Sequence, residues 1–156
     1  QISIERVLAG NGSTEIFHLL TRVYLANQGT ALLLTPTYGE YDGACRLAGA
    51  EILNLEADLT GDFRWDIRAA TRIIETKKPE LVIVCNPNNP TGAVLPKETV
   101  HQIGEIAQSV GAWILLDEVY RGAELNREEC TSFWDLGYDK TIVNCGLSKA
   151  YGLPGL

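Results

Sequence analysis

The sequence predicts an α/β domain built on a mostly parallel sheet, and two features carry that expectation. Short apolar runs alternate with amphipathic stretches along most of the chain, the rhythm of repeated strand and helix units. Several of the runs are apolar throughout, as strands buried on both faces must be, and do not alternate with polar residues.

Taken in order, Ile16, Phe17, Leu20, Val23 and Tyr24 recur at helical spacing and define a first helix. Ser13 or Thr14 is placed to cap its start. Ala31–Thr35 reads as the first strand, followed by a helical stripe of Tyr41, Ala44, Cys45 and Ala48. Glu51–Leu55 is the next strand, and Ile67, Ala70, Ile73 and Ile74 form the third stripe. Leu81–Cys85 and Trp113–Asp117 are strands on either side of a fourth helix, which carries Val100, Ile103, Ile106, Ala107 and Val110. Pro96 stands just before that helix, where a missing N–H costs nothing. Thr141–Cys145 is the last strand. No internal repeat, low-complexity tract or linker interrupts the series.

Composition narrows the function classes. Of the 156 residues, 46% are hydrophobic and 21% charged, ordinary for a globular protein with a real core. A formal net charge of −7 argues against a surface built for nucleic acid or an anionic membrane. Cys45, Cys85, Cys130 and Cys145 lie far apart with no CxxC pair. Zinc-ribbon and disulfide-scaffold readings therefore fail, no metal site is expected, and a reducing cytoplasm is the natural setting. No apolar run approaches the roughly 18–20 residues of a membrane span, and no signal peptide is visible. Gln1 opens into periodic sequence without a starting Met, and Leu156 stops inside a Gly-Leu-Pro-Gly-Leu turn. The expectation is a fragment of a longer protein.

In such a sheet, ligands bind beyond the carboxyl ends of the strands. The unusual residues cluster there. Thr35-Pro36-Thr37-Tyr38 follows one strand and Asn86-Pro87-Asn88-Asn89-Pro90-Thr91-Gly92 another. Asp117-Glu118-Val119-Tyr120 ends a third, and Gly146-Leu147-Ser148-Lys149 follows the last.

Each motif has a plainer reading. Gly10-Asn11-Gly12-Ser13-Thr14 opens the first helix, where free N–H groups and the helix dipole favour a phosphate, but it also reads as an ordinary cap. Neither the GxGxxG dinucleotide pattern nor the Walker pattern is present, since Glu15 stands where a third glycine would be. The Asn-Pro-Gly run suits a simple turn, although its density after a buried strand is unusual. Asp117 ends an apolar strand, where a carboxylate is costly unless a cation meets it; a structural ion pair would serve as well as a ligand. Lys149 draws interest only from its position after a strand among small residues.

Together, Asn86–Gly92, Asp117–Tyr120 and Ser148-Lys149-Ala150-Tyr151-Gly152-Leu153-Pro154-Gly155-Leu156 resemble the three signature segments of class I/II aminotransferases. These are fold-type-I pyridoxal-phosphate (PLP) enzymes, and the histidinol-phosphate aminotransferase-like members are near relatives in style. The resemblance covers essentially the whole chain. It implies a three-layer αβα large domain, of which residues 1–156 form the central part, with the small domain and an N-terminal segment outside this chain.

The resemblance also implies roles. Lys149 would form the Schiff base with pyridoxal 5'-phosphate and then carry the proton between Cα and C4′. Asp117 would pair with the pyridine nitrogen and keep the ring an electron sink. Asn89 and Tyr120 would donate to the phenolic oxygen, Tyr38 would stack on the ring, and Gly12, Ser13, Thr14 and Ser148 would hold the phosphate. Gly146 departs from the Ser or Thr many relatives carry three positions before the lysine. The implied activity is transamination between a small-molecule amino acid and a 2-oxo acid in amino acid metabolism, by a cytoplasmic homodimer without nucleic-acid or membrane partners. The alternatives are another PLP reaction (decarboxylase, lyase, cyclase or oxidase) or the aminotransferase-like sensor domain of a transcription regulator.

Overall fold

A computed structural model describes residues 2–125 and 129–155; Gln1 and Leu156, the two ends noted above, lie outside the described residues. The regular elements are α1 (Ser13–Tyr24), β1 (Thr30–Thr35), α2 (Glu40–Leu47), β2 (Glu51–Glu56), α3 (Ile67–Lys77), β3 (Leu81–Cys85), α4 (Lys97–Val110), β4 (Trp113–Asp117) and β5 (Thr141–Asn144). Short 3-10 turns cover Ile4–Arg6 and Phe133–Leu136.

The five strands form one sheet in the order β2-β1-β3-β4-β5, and every neighbouring pair is parallel. Because side chains alternate across a strand, each strand feeds two cores. Leu32, Leu34, Val82, Val84, Ile114 and Leu116 face α3, α4 and Phe133. Ala31, Leu33, Leu81, Ile83, Cys85 and Leu115 face α1 and α2, through Phe17, Tyr41 and Ala44. Helices therefore cover both faces, giving the three-layer αβα arrangement. Leu33, Ile83 and Leu115 are almost completely buried, each stabilising the fold by about 1.5–3 kcal/mol.

The connections set the position of the site. The chain leaves β1 toward α2 on one face, while it leaves β3 toward α4 on the other. Right-handed crossovers require this when successive connections move in opposite directions along the sheet. The connections from the adjacent strands β1 and β3 thus diverge to opposite faces at their carboxyl ends, the switch point beside which open parallel sheets form their ligand crevice.

The start of α1 differs from the expectation. Neither Ser13 nor Thr14 caps it; Gly12 takes the cap position without any side-chain bond, and Ser13 is the first helical residue. Gly12 has φ of +82° and ψ of 167°, backbone that only glycine adopts without strain. The Glu15 carboxylate instead reaches back and accepts from the Asn11 backbone N–H at 2.6 Å. Cys145, expected inside the last strand, lies just past its end at Asn144. Gly104, in the middle of α4, has a packing reason: a Cβ there would run into the Leu136 side chain.

Among the described residues no helix is long and apolar enough to cross a membrane. No group of three or more His, Cys, Asp and Glu side chains there is placed to hold a metal ion.

Candidate active site

With all strands parallel, the four loops singled out in the sequence share one edge of the sheet. The start of α1 joins them. Tyr24, at the helix end, packs on Trp113 at the beginning of β4, with ring centroids 4.5 Å apart. Phe17, one turn into the helix, packs edge-on against Tyr41 at 4.7 Å, and the Tyr41 hydroxyl bonds to Asp117 at the end of β4. The helix therefore runs from the carboxyl edge to the amino edge, and Gly12, Ser13 and Thr14 project at the carboxyl edge with the other loops.

The Asn-Pro-Asn-Asn-Pro-Thr-Gly run divides its labour. Asn86 is fully buried; its Oδ1 accepts from Leu95 N–H at 2.9 Å and its Nδ2 donates to Thr131 O at 3.3 Å. Asn88 Oδ1 accepts from the Thr91 hydroxyl at 2.8 Å, and its Nδ2 donates to Pro36 O at 3.1 Å, tying this loop to the one after β1. These residues build the loop. Asn89 is half-buried and makes no side-chain hydrogen bond among the described residues, so its amide remains available. The turn reading of this segment holds at Asn86 and Asn88, and Asn89 is left as the candidate site residue.

Tyr38, on the β1 loop, is 37% exposed and meets Tyr41 edge-on at 5.7 Å. Tyr120 follows Asp117 in a turn braced by Arg121, whose guanidinium donates to Cys130 O and Glu129 and lies 3.7 Å from Glu118. Lys149 lies exposed on the turn after β5, with Nζ 5.9 Å from the centroid of the Tyr120 ring. Ser148 is exposed beside it. Lys140, by contrast, donates to Gly111 O ahead of β4, at the opposite edge.

Asp117 is the electrostatic centre. It is 3% exposed. Its Oδ2 accepts from the Tyr41 hydroxyl, and its Oδ1 accepts from Val119 N–H at 3.1 Å and Asn144 Nδ2 at 3.4 Å. Burial raises its pKa above the usual carboxylate range, opposed by those three donors. Burial also raises the Tyr41 hydroxyl, reinforced by the Asp117 charge, and pushes the Cys85 thiol up to about 11. Among the described residues no cation pairs with Asp117. A desolvated carboxylate supplied only with neutral donors is an incomplete arrangement that a cationic group would complete.

Tyr41 and Asn144 were not singled out in the sequence. Tyr41 was absorbed into the apolar stripe of its helix, although Tyr38 three residues earlier was a clue. Asn144 is an amide within the apolar run predicted as the last strand, and that is the available signal.

Known proteins now place the chain. The sequence profile described as "Aminotransferase class I and II" matches residues 1–156. The chain belongs to the class I and II aminotransferase family. Within it, the chain is 32% identical over 155 residues to a histidinol-phosphate aminotransferase of Caldanaerobacter subterraneus subsp. tengcongensis, covering 99% of this chain and 42% of that protein. Its fold is similar to a PLP-bound C-S lyase from Staphylococcus hominis, with TM-score 0.91 and 26% identity over 100% of this chain and 41% of that one. It is also similar to an alanine aminotransferase from Pyrococcus furiosus, with TM-score 0.80 and 30% identity over 90% of this chain and 36% of that one. The chain thus spans about two fifths of the length of these family relatives.

The buried carboxylates give a pH dependence that needs no ligand. Asp117 and Glu118 have ordinary values of 3.8 and 4.5, and burial raises both. A carboxyl group raised by folding favours the folded state below its unfolded value, and that contribution is lost as pH rises through the folded value. The contribution of these two groups to the thermal stability of the ligand-free protein should therefore fall as pH climbs from about 4 through the raised values. Melting curves of wild type and Asp117→Asn across this range check it: the variant should show the shallower decline, and parallel curves would refute it.

Proposed function

We propose that this chain is the central, cofactor-holding part of the large domain of a PLP-dependent enzyme that moves an amino group between an amino acid and a 2-oxo acid. The observation that carries the reading is Asp117: a buried carboxylate with three neutral donors and no cation among the described residues, at the strand end next to the lysine-bearing turn. The donor set fits a ring that carries a protonated nitrogen.

Bound pyridoxal phosphate supplies an aldehyde for the amino group and a ring that accepts the electron pair left when a Cα–H bond breaks. The protein does the rest. Lys149 would hold the cofactor covalently and, when freed, would carry a proton between Cα and C4′. Asp117 keeps the ring nitrogen protonated. Asn89 and Tyr120, whose polar groups the fold leaves uncommitted, donate to the phenolic oxygen. Tyr38 would pack against the ring. Gly12, Ser13, Thr14 and Ser148 hold the phosphate at the start of α1, where the helix dipole favours an anion. With Gly146 in the position after Cys145, that residue adds no hydroxyl to the set.

A homodimer is the expected assembly. Ile4, Leu8, Leu19 and Val23 expose apolar side chains on the N-terminal segment and the outer side of α1, a surface suited to a second copy. Four free thiols fit a reducing cytoplasm. The histidinol-phosphate aminotransferases among its relatives favour a role in amino acid biosynthesis. The similarity to a C-S lyase supports a second reading, because the same ring contacts serve β-elimination.

The test is covalent capture. The intact protein should be yellow with cofactor that survives dialysis, and borohydride should fix that cofactor to the peptide containing Lys149. Incubation with a panel of amino acids and 2-oxo acids should then yield amino-group exchange. Labelling at Lys97 or Lys140 would overturn the lysine assignment, and release of a thiol or ammonia without exchange would favour the lyase.

A further inference from the structure

Asp117 can accept about four hydrogen bonds, two at each carboxylate oxygen. Three of the four are filled from within the chain. Oδ1 takes two, from Val119 N–H and from Asn144 Nδ2, and is saturated. Oδ2 takes one, from Tyr41. Among the described residues, the single acceptor position left is on Oδ2.

Asn144 is the residue that makes this asymmetry. The Val119 bond is a turn of the local backbone and comes with the chain's path after β4. Asn144 comes from another strand, and its place is fixed by the sheet. β4 and β5 pair in parallel with Asp117 opposite Asn144, and Asn144 O accepts from Glu118 N–H at 2.8 Å. Registered residues of parallel strands send their side chains to the same face, so the two meet on the side of α2, where Tyr41 is also found. Asn144 is 5% exposed, and an amide buried that deeply is costly without partners. An aliphatic residue would fill the same strand position at less cost.

We propose that Asn144 is a positioning residue that closes the second acceptor site of Asp117 Oδ1 and so directs the carboxylate's one open site, on Oδ2, to the cationic ring nitrogen. Without it, each oxygen keeps one open site, and the ring nitrogen meets a carboxylate with two competing orientations. This inference rests on the reading of Asp117 as the partner of a pyridoxal phosphate ring.

The test uses the intact protein with pyridoxal phosphate labelled with 15N at the ring. Asn144→Leu removes the donor at similar size; Asn144→Ala is the second variant should the first fail to fold. Three readouts are taken in each: the dissociation constant of the cofactor from the apo protein, the 15N resonance of the ring nitrogen, and kcat with KM. Removing a hydrogen bond to a charged group should weaken cofactor binding about tenfold, move the resonance away from the fully protonated position of the wild type, and lower kcat more than it raises KM. In an Asp117→Asn background the same substitution should cost no further affinity, as coupled residues require.

An unchanged dissociation constant and resonance overturn the proposal. So does an equal affinity loss in both backgrounds, which marks Asn144 as merely structural. A wild-type protein that binds no cofactor at Lys149 overturns this proposal and the functional reading together, whereas bound cofactor with an indifferent Asn144 removes this proposal alone.

Discussion

Lys149→Ala is expected to leave the fold intact and to reduce turnover by roughly ten-thousand-fold or more. The fold expectation follows from position. Lys149 is exposed on a turn beyond the end of β5, in which Gly152 N–H bonds to Lys149 O and Leu153 N–H to Leu147 O; both bonds use backbone alone. Truncating the side chain removes no packed atoms and no hydrogen bond among the described residues. The loss in rate follows from two roles in one group. On the proposed reading the amine would be both the covalent anchor and the proton carrier, and a positioned general base alone accounts for about a hundred- to ten-thousand-fold. Added methylamine should restore a fraction of the rate by supplying the base without the anchor. Single-turnover absorbance of the reconstituted variant measures both effects, and a variant within tenfold of wild type would remove Lys149 from the chemistry.

Asp117→Asn should cost roughly a thousandfold in rate, the scale of losing an electrostatic contact in a desolvated site, while the apo protein becomes no less stable. The amide is nearly isosteric, and its surroundings accept it. Its oxygen can still accept from Val119 N–H and Asn144 Nδ2, while its amide nitrogen can donate to the Tyr41 hydroxyl, which reverses from donor to acceptor. Replacing a buried, unpaired carboxylate by a neutral group is commonly neutral or stabilising. A neutral amide, however, cannot hold a ring nitrogen in its protonated form. Cofactor retention with a thousandfold lower kcat is the expected pair of results. Loss of activity only in proportion to lost cofactor would reassign Asp117 to binding.

Much of the fold was legible because its strands are apolar runs bounded by strong breakers. Leu81–Cys85 and Trp113–Asp117 have the predicted limits, each ended by polar loop residues. The helix stripes likewise marked the faces that now form the two cores. What escaped was decided at single residues. The α1 cap was misassigned because Ser13 and Thr14 are good capping residues by type, whereas the backbone at Gly12 and the reach of Glu15 decide the geometry. The site was legible as a set of loops but not in its inner contacts. Asn86 and Asn88 look like Asn89 in sequence, and only the path of the loop turns two of them inward. Tyr41 counts as an apolar helix residue until its hydroxyl is seen against Asp117, 76 residues away.

That separation has a consequence for how the protein reaches its folded state. The bonds that shape the site join residues far apart in the chain: Tyr41 with Asp117, Asn88 with Pro36 across 52 positions, and Asn144 with Asp117 across 27. In a parallel sheet every strand pairing likewise spans an intervening connection, so contact order is high and the entropy of closing each loop is spent before its contacts form. A helix such as α4 can begin to form locally; the rim of the crevice cannot. On a ribosome, Asp117 emerges well before Asn144, and its carboxylate must wait for β5 to dock beside β4 before its last donor arrives. On the proposed reading, cofactor capture would favour chains that have finished the sheet, and by mass action it would then draw the population toward that finished form.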